Sequence, residues 1–273
     1  MGTLEGTNSS SLRGSVVTSD HEPIRFPGHE YPQVIPRPPY LEVGEPAPWT
    51  NSPLRHEAFT VAQVDERLRA AGRHASQGAA PDTTAELTDV ADGEWVDRVT
   101  RRSAVLVTLF NHDGEAQVIL TRRAAHLRHH RDEVAFPGGR VEDGESVVDT
   151  ALREAHEEVG LSPSAVTVRG WLEPLVTLAS GSAIWPVVAT LDEPPTLVPD
   201  PVEVARIFTV SLRNLLDPAT YHQERWRRET PRPGSAPDGS FPMSFFRVPG
   251  EIVWGATARI LVDLLTVLTD TRH

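Results

Sequence analysis

The segment from Gly139 to Leu161, GRVEDGESVVDTALREAHEEVGL, constrains this chain more than any other, because its helix start, helix stop and charge pattern are all set locally. Ser146 with Asp149 three residues on reads as a capping box, and Gly160 stands where helices end in the left-handed conformation. The spacing predicts a helix over 147–159. At about 3.6 residues per turn, Val148, Ala151, Leu152, Ala155 and Val159 form an apolar stripe, and Glu154, Glu157 and Glu158 cluster on the far side.

Glutamates crowded into one turn repel each other unless something positive lies among them. Arg153 can pair with Asp149 or Glu157, but a hard divalent cation is the better partner for the whole cluster. Magnesium accepts carboxylate, water and phosphate oxygens and needs neither His nor Cys. The plain alternative is a charged surface helix. The full pattern G-x5-E-x7-R-E-x-x-E-E-x-G, carried by Gly139, Glu145, Arg153, Glu154, Glu157, Glu158 and Gly160, favours the metal site.

Those residues, followed by Leu161, match the Nudix box, and the chain resembles a Nudix hydrolase. The resemblance implies an α/β fold of the α+β type, a mixed β-sheet sandwiched between helices. It also implies a hydrolase that splits the pyrophosphate of a nucleoside diphosphate linked to another group, using Mg2+ or Mn2+ held by the loop-helix-loop of the box. Upstream, LTRRAAHLRHHRDEVAFPGG is similar to the segment that marks coenzyme A pyrophosphatases, L-T-x-R-S-x3-R-x3-G-x3-F-P-G-G. Leu120, Thr121, Arg123, Arg128, Phe136, Pro137, Gly138 and Gly139 match, while Ala124 replaces the usual serine and Asp132 the usual glycine. Asp132 and Glu133 add negative charge to a loop expected near an anionic substrate. DPVEVARIFTVSL (200–212) and IVWGATARIL (252–261) also resemble that subfamily, so the likeness spans roughly 103–268 and leaves out the first hundred residues.

By this resemblance Glu157 and Glu158 are the leading metal ligands, Glu154 a third ligand or the base, and the Gly139 carbonyl a further contact. Arg153 is expected to orient carboxylates through its planar fork, with Glu145 as its partner across the loop. Glu203 is a candidate extra ligand or base, or simply a solvated glutamate. The run Arg122, Arg123, His126, Arg128, His129, His130, Arg131 either supplies cations for an extra phosphate, such as the 3′-phosphate of coenzyme A, or is a solvated loop. The family pattern supports Arg123 and Arg128 most directly, with His126 and His130 as further substrate contacts, and the histidine spacing fits no closed zinc site. The favoured substrate is coenzyme A or an acyl-coenzyme A, giving 3′,5′-ADP and a 4′-phosphopantetheine compound. ADP-ribose, NADH or a nucleoside triphosphate is the alternative within enzymes. A ligand-binding or regulatory Nudix domain is the alternative outside them, and the intact glutamate set argues against it.

The remaining expectations are coarser. With 273 residues, 39% of them hydrophobic and 23% charged, the chain suits one substantial core with additional tails. It has no apolar run of membrane-span length and no basic start followed by an apolar stretch, so a cytoplasmic protein without membrane contact is expected. The absence of cysteine excludes disulfides and thiolate ligands, and a net charge of −12 disfavours nucleic acid as a partner. The expected partner is a small nucleoside diphosphate substrate, and a homodimer stays open. Residues 1–55, rich in proline, are expected to form an extended or disordered arm, unless Phe26, Tyr31, Tyr40 and Trp49 clip it to the core. A short helix capped by Thr60 and a polar linker fill 56–99, and the hydrolase domain covers 100–270. Within that domain, strands are expected over 103–110, 116–121, 167–172 and 184–191, with an Asp-Gly turn joining the first two. A packing helix over 255–268 and an exposed loop over 231–240 complete the reading.

Overall fold

Asp113 and Gly114 both adopt positive φ, 50° and 83°, which the tight turn of a two-residue hairpin requires, and they pair His112 with Glu115. This hairpin seeds the main sheet of the computed structural model, which describes residues 33, 35–39, 41–77, 101–177, 182–227, 236 and 238–271. In chain order the elements are β1 (Leu41–Val43), α1 (Val61–Ala70), β2 (Arg101–His112), β3 (Glu115–Arg123), β4 (Val134–Ala135), β5 (Gly138–Arg140) and α2 (Val147–Val159). They continue as β6 (Thr167–Trp171), β7 (Leu175–Thr177), β8 (Ser182–Leu191), β9 (Val204–Ser211), α3 (Leu212–Leu216), β10 (Tyr221–Arg227), β11 (Ser240–Val248), β12 (Glu251–Trp254) and α4 (Gly255–Thr269).

The main sheet runs β4-β3-β2-β8-β6, with β5 on β2, β7 on β8 and β9 on β3. It is mixed, because β2 and β8 are parallel from Arg101↔Ser182 to Phe110↔Leu191 while the other pairs are antiparallel. Side chains along β2 alternate between two cores. Ala104 and Leu106 pack with Ala151, Ala155 and Val159 of α2, whereas Val107 and Leu109 pack with Leu261 and Leu265 of α4 and with Val64 and Leu68 of α1. The mixed sheet thus lies between helices, as the fold class requires.

The first hundred residues contribute more than a loose arm. Leu41–Val43 adds a strand to β10, giving a second, antiparallel sheet in the order β1-β10-β11-β12. Trp49 is 1% exposed, donates its indole N–H to the Leu216 carbonyl at 2.8 Å, stacks on Phe246 and meets Tyr221 edge to face. Of the readings for 1–55, clipping to the core through Trp49 is the one that describes 41–55; β1 itself is unexpected, because a three-residue strand is too short to show alternation and its hydrogen bonds come from the β10 edge. Thr60 caps α1 with Gln63 in a capping box, as its sequence suggested. Phe26, Tyr31, Tyr40, the linker beyond 77 and most of the 231–240 loop lie outside the described residues. No helix among the described residues is long and apolar enough to cross a membrane.

Candidate active site

The box helix forms where its local signals put it. The Ser146 hydroxyl accepts the Asp149 N–H while the Asp149 carboxylate accepts the Ser146 N–H, and Gly160 ends the helix at φ 69°. The side-chain faces differ from the wheel drawn above in one respect. Glu158 is 3% exposed, not on a solvent face, while Glu157 is open to solvent. Seven helical residues come within about 20° of two full turns, so Glu158 lies almost in line with buried Ala151.

Arg153 organises the front of the helix. Its Nε donates to Glu145 Oε1 at 2.7 Å and Nη2 to Glu145 Oε2 at 3.0 Å, the two-pronged pairing that a planar guanidinium allows. Nη1 reaches Glu154 Oε1 at 2.9 Å and Glu157 Oε2 at 3.0 Å, and Nη2 also meets the Arg140 carbonyl at 3.2 Å. Thr150 donates to Glu145 at 2.8 Å. Arg153, with Thr150 beside it, holds the Glu145 carboxyl down at about 2.

Two glycines seat β5, Gly139 against the Glu154 carboxylate and Gly138 against β2. A Cβ on Gly139 would stand 2.2 Å from Glu154 Oε1, and one on Gly138 would stand 2.3 Å from the Ala104 carbonyl. Only residues without a side chain allow the Glu154 carboxylate to lie against the loop backbone at this point. The Gly138 N–H donates to Glu158 Oε2 at 3.3 Å.

Arg123, at the end of β3, enters the same cluster from the opposite side. Its Nη1 lies 3.5 Å from Glu158 Oε1 and its Nη2 lies 3.6 Å from Glu203 Oε2. Burial pushes the Glu158 carboxyl up to about 8, with Glu203 and Glu154 adding to the rise and Arg123 opposing it. Glu154 is raised for the same reason, burial first, with the charges of Glu157 and Glu203 adding to it against Arg153. Glu203 therefore sits within electrostatic reach of two box carboxylates, although it lies 45 residues beyond Glu158 in the chain.

The basic run does not act as one surface. Arg123 faces the carboxylates, His126 Nε2 donates to the Val202 carbonyl at 2.9 Å, and Arg122 turns to buried Glu251 at 3.7 Å. Arg128, His129, His130 and Arg131 are exposed in the loop. His130 pairs with Glu133 at 2.9 Å, and that hydrogen bond raises its pKa. Asp132, where the family pattern has glycine, adopts φ 58°, a conformation that glycine reaches freely and that Asp tolerates better than most residues. Sequence reasoning passed over Asp200, whose DPVEV turn carries Glu203; an Asp followed by Pro is a turn signal that was available.

Comparison with known proteins shows the family. Residues 100–229 match the NUDIX domain family. The chain is 33% identical to Nudix hydrolase 3 of Caenorhabditis elegans, over 60% of this chain and 72% of that one. It is 36% identical to the uncharacterized Nudix hydrolase NudL of Yersinia pestis (strain Pestoides F), over 60% of this chain and 78% of that one. This chain belongs to the Nudix hydrolase family. Among solved structures, the Nudix hydrolase RenU of M. Smegmatis aligns at 28% identity with a TM-score of 0.38, over 43% of this chain and 74% of that one.

Nudix hydrolases use divalent metal ions, and the donors here suit one. Glu154, Glu157, Glu158 and Glu203 offer only hard carboxylate oxygens, and burial raises Glu154 and Glu158. Among the described residues no three acidic or histidine side chains are grouped in a ready-made metal cage. The reason is visible in the ion pairs: Arg153 draws Glu154 and Glu157 to itself, and Arg123 stands between Glu158 and Glu203.

Proposed function

We propose that this Nudix hydrolase cleaves the pyrophosphate bond of a nucleoside diphosphate derivative, with coenzyme A or an acyl-coenzyme A as substrate, giving 3′,5′-ADP and a 4′-phosphopantetheine compound. The observation that carries the reading is the placement of two box carboxylates against β5, Glu158 buried with the Gly138 N–H donating to it and Glu154 lying against Gly139, hard oxygens of the kind a divalent cation takes. Bound there, magnesium or manganese would neutralise the anionic oxygens that shield a diphosphate and make water more acidic.

Glu157 and Glu158 are the metal-holding residues in this reading, with the Gly139 carbonyl beside them and Glu154 as third ligand or proton acceptor. Burial raises the Glu154 carboxyl, and a more basic carboxylate is a better proton acceptor, which supports the second role for Glu154. Arg153 and Glu145 hold these carboxylates in register. Support for coenzyme A comes from the residues between Leu120 and Gly139 that match the subfamily pattern, and from exposed Arg128 and His130 at the loop. The fixed charge of Arg128 suits an extra phosphate.

The test is mass spectrometry of coenzyme A incubated with the protein and magnesium or manganese, with Glu157→Gln alongside. Metal-dependent release of 3′,5′-ADP that disappears in the variant is expected. No cleavage of coenzyme A by the wild type would overturn the substrate, and activity retained in the variant would overturn the site. Equal rates on coenzyme A and dephospho-coenzyme A would remove the basic loop from substrate recognition.

A further inference from the structure

Glu203 is a half-exposed glutamate far from the box in sequence, yet its carboxylate lies 3.6 Å from Arg123, whose other terminal nitrogen lies 3.5 Å from Glu158. What fixes it is a turn built on Asp200. The Asp200 side chain accepts the Val202 N–H at Oδ1, 3.0 Å away. The Asp200 carbonyl accepts the N–H groups of Glu203 at 3.1 Å and Val204 at 2.8 Å. The Asp200 N–H donates to the carbonyl of Glu158 itself at 2.9 Å.

From the other side, Ala124 N–H donates to the Glu203 carbonyl at 2.8 Å, and His126 donates to the Val202 carbonyl. The turn is thus tied to the end of α2 and to the loop after β3. Side-chain acceptance of an N–H two residues on is how Asp and Asn impose a turn that the backbone alone would leave open.

We infer that Asp200 is a positioning residue of the hydrolase, its side chain fixing the turn that presents Glu203 as a fourth carboxylate toward the divalent ion held by the box. This rests on the metal site of the proposed function. Asp200 reaches the site only through the turn, so its oxygen as an acceptor matters and its charge does not. Outer partners of this kind change metal affinity by about 10- to 100-fold when lost.

The experiment is Mn2+ binding by electron paramagnetic resonance, on the full chain without substrate, for wild type, Asp200→Ala, Asp200→Asn, Glu203→Gln and the double variant Asp200→Ala/Glu203→Gln. Circular dichroism and melting temperature are recorded on each. Asp200→Ala and Glu203→Gln should each weaken Mn2+ binding by about tenfold or more. Asp200→Asn, which keeps the acceptor oxygen, should bind within about twofold of wild type, and the double variant should be no worse than Glu203→Gln alone.

Wild-type affinity in Asp200→Ala would overturn the inference, as would loss in Asp200→Asn equal to that in Asp200→Ala, or additive losses in the double variant. If Asp200→Ala fails to fold, the comparison of Asp200→Asn with Glu203→Gln decides: near-wild-type binding in the first with weakened binding in the second supports the inference, and any other pattern overturns it. Failure of the wild type to bind Mn2+ would instead overturn the metal site itself.

Discussion

Replacing Glu158 by glutamine should make the metal-free protein more stable at alkaline pH while removing its metal response. The Glu158 carboxyl is raised from an ordinary 4.5 to about 8 by burial, and Gly138 N–H and Arg123 only partly compensate. The folded state thus holds a proton that the unfolded chain has lost, so this group favours folding fully below about pH 4.5. That contribution fades as pH rises and is gone above about pH 8. A displacement from 4.5 to about 8 corresponds to at most about 5 kcal/mol. Glutamine keeps an acceptor for the Gly138 N–H and carries no charge to bury. In a domain of this size each kcal/mol moves the melting temperature by about 2–4 °C.

Thermal unfolding in chelator, followed by circular dichroism from pH 5 to 9, should show wild type losing stability as pH rises, with Glu158→Gln flatter and above it by several degrees at pH 8.5. Adding magnesium or manganese at pH 8.5 should raise the wild type and leave the variant unmoved, since only a ligand of the folded state stabilises it. A variant that melts below wild type in chelator at pH 8.5, or a wild type that does not lose stability between pH 5 and 8, would refute the reasoning.

Other expectations follow from single contacts. Arg153→Lys loses the paired hydrogen bonds to Glu145 and cannot span Glu154 and Glu157 as well, so kcat/KM should fall by about 10- to 100-fold, read by steady-state kinetics. Gly139→Ala places a methyl 2.2 Å from Glu154 Oε1 and must push that carboxylate away; isothermal titration should show weakened Mn2+ binding with an unchanged circular dichroism spectrum. Trp49→Ala should cost about 3–5 kcal/mol in urea denaturation, because the indole is buried and bonded to Leu216. For the same reason a truncation starting near residue 95, which removes Trp49, Phe59, Val64 and Leu68 from the core, should melt well below the full chain.

What the sequence determined on its own was whatever depends on neighbours within a few residues. Ser146, Asp149 and Gly160 bound the box helix, Asp113 and Gly114 close the first hairpin, Thr60 starts α1, and Arg153 finds Glu145 just before the start of its own helix. Capping, turn conformation and short-range ion pairing are local, so their residues announce them. The family, too, was legible, because the box packs its chemistry into a single loop and helix. Tertiary structure decided the rest. It supplied the sheet that covers the apolar side of the box helix, and so buried Glu158, almost in line with Ala151, while leaving Glu157 in water. It turned Arg123 from a member of a basic run into the counter-ion between Glu158 and Glu203, two glutamates far apart in the chain. It drew Leu41–Val43 and Trp49 onto a second sheet whose strands carry no clear alternation of their own. These are contacts between residues far apart in the chain, and no local pattern encodes them, because the energy that fixes each one comes from a surface assembled elsewhere in the fold.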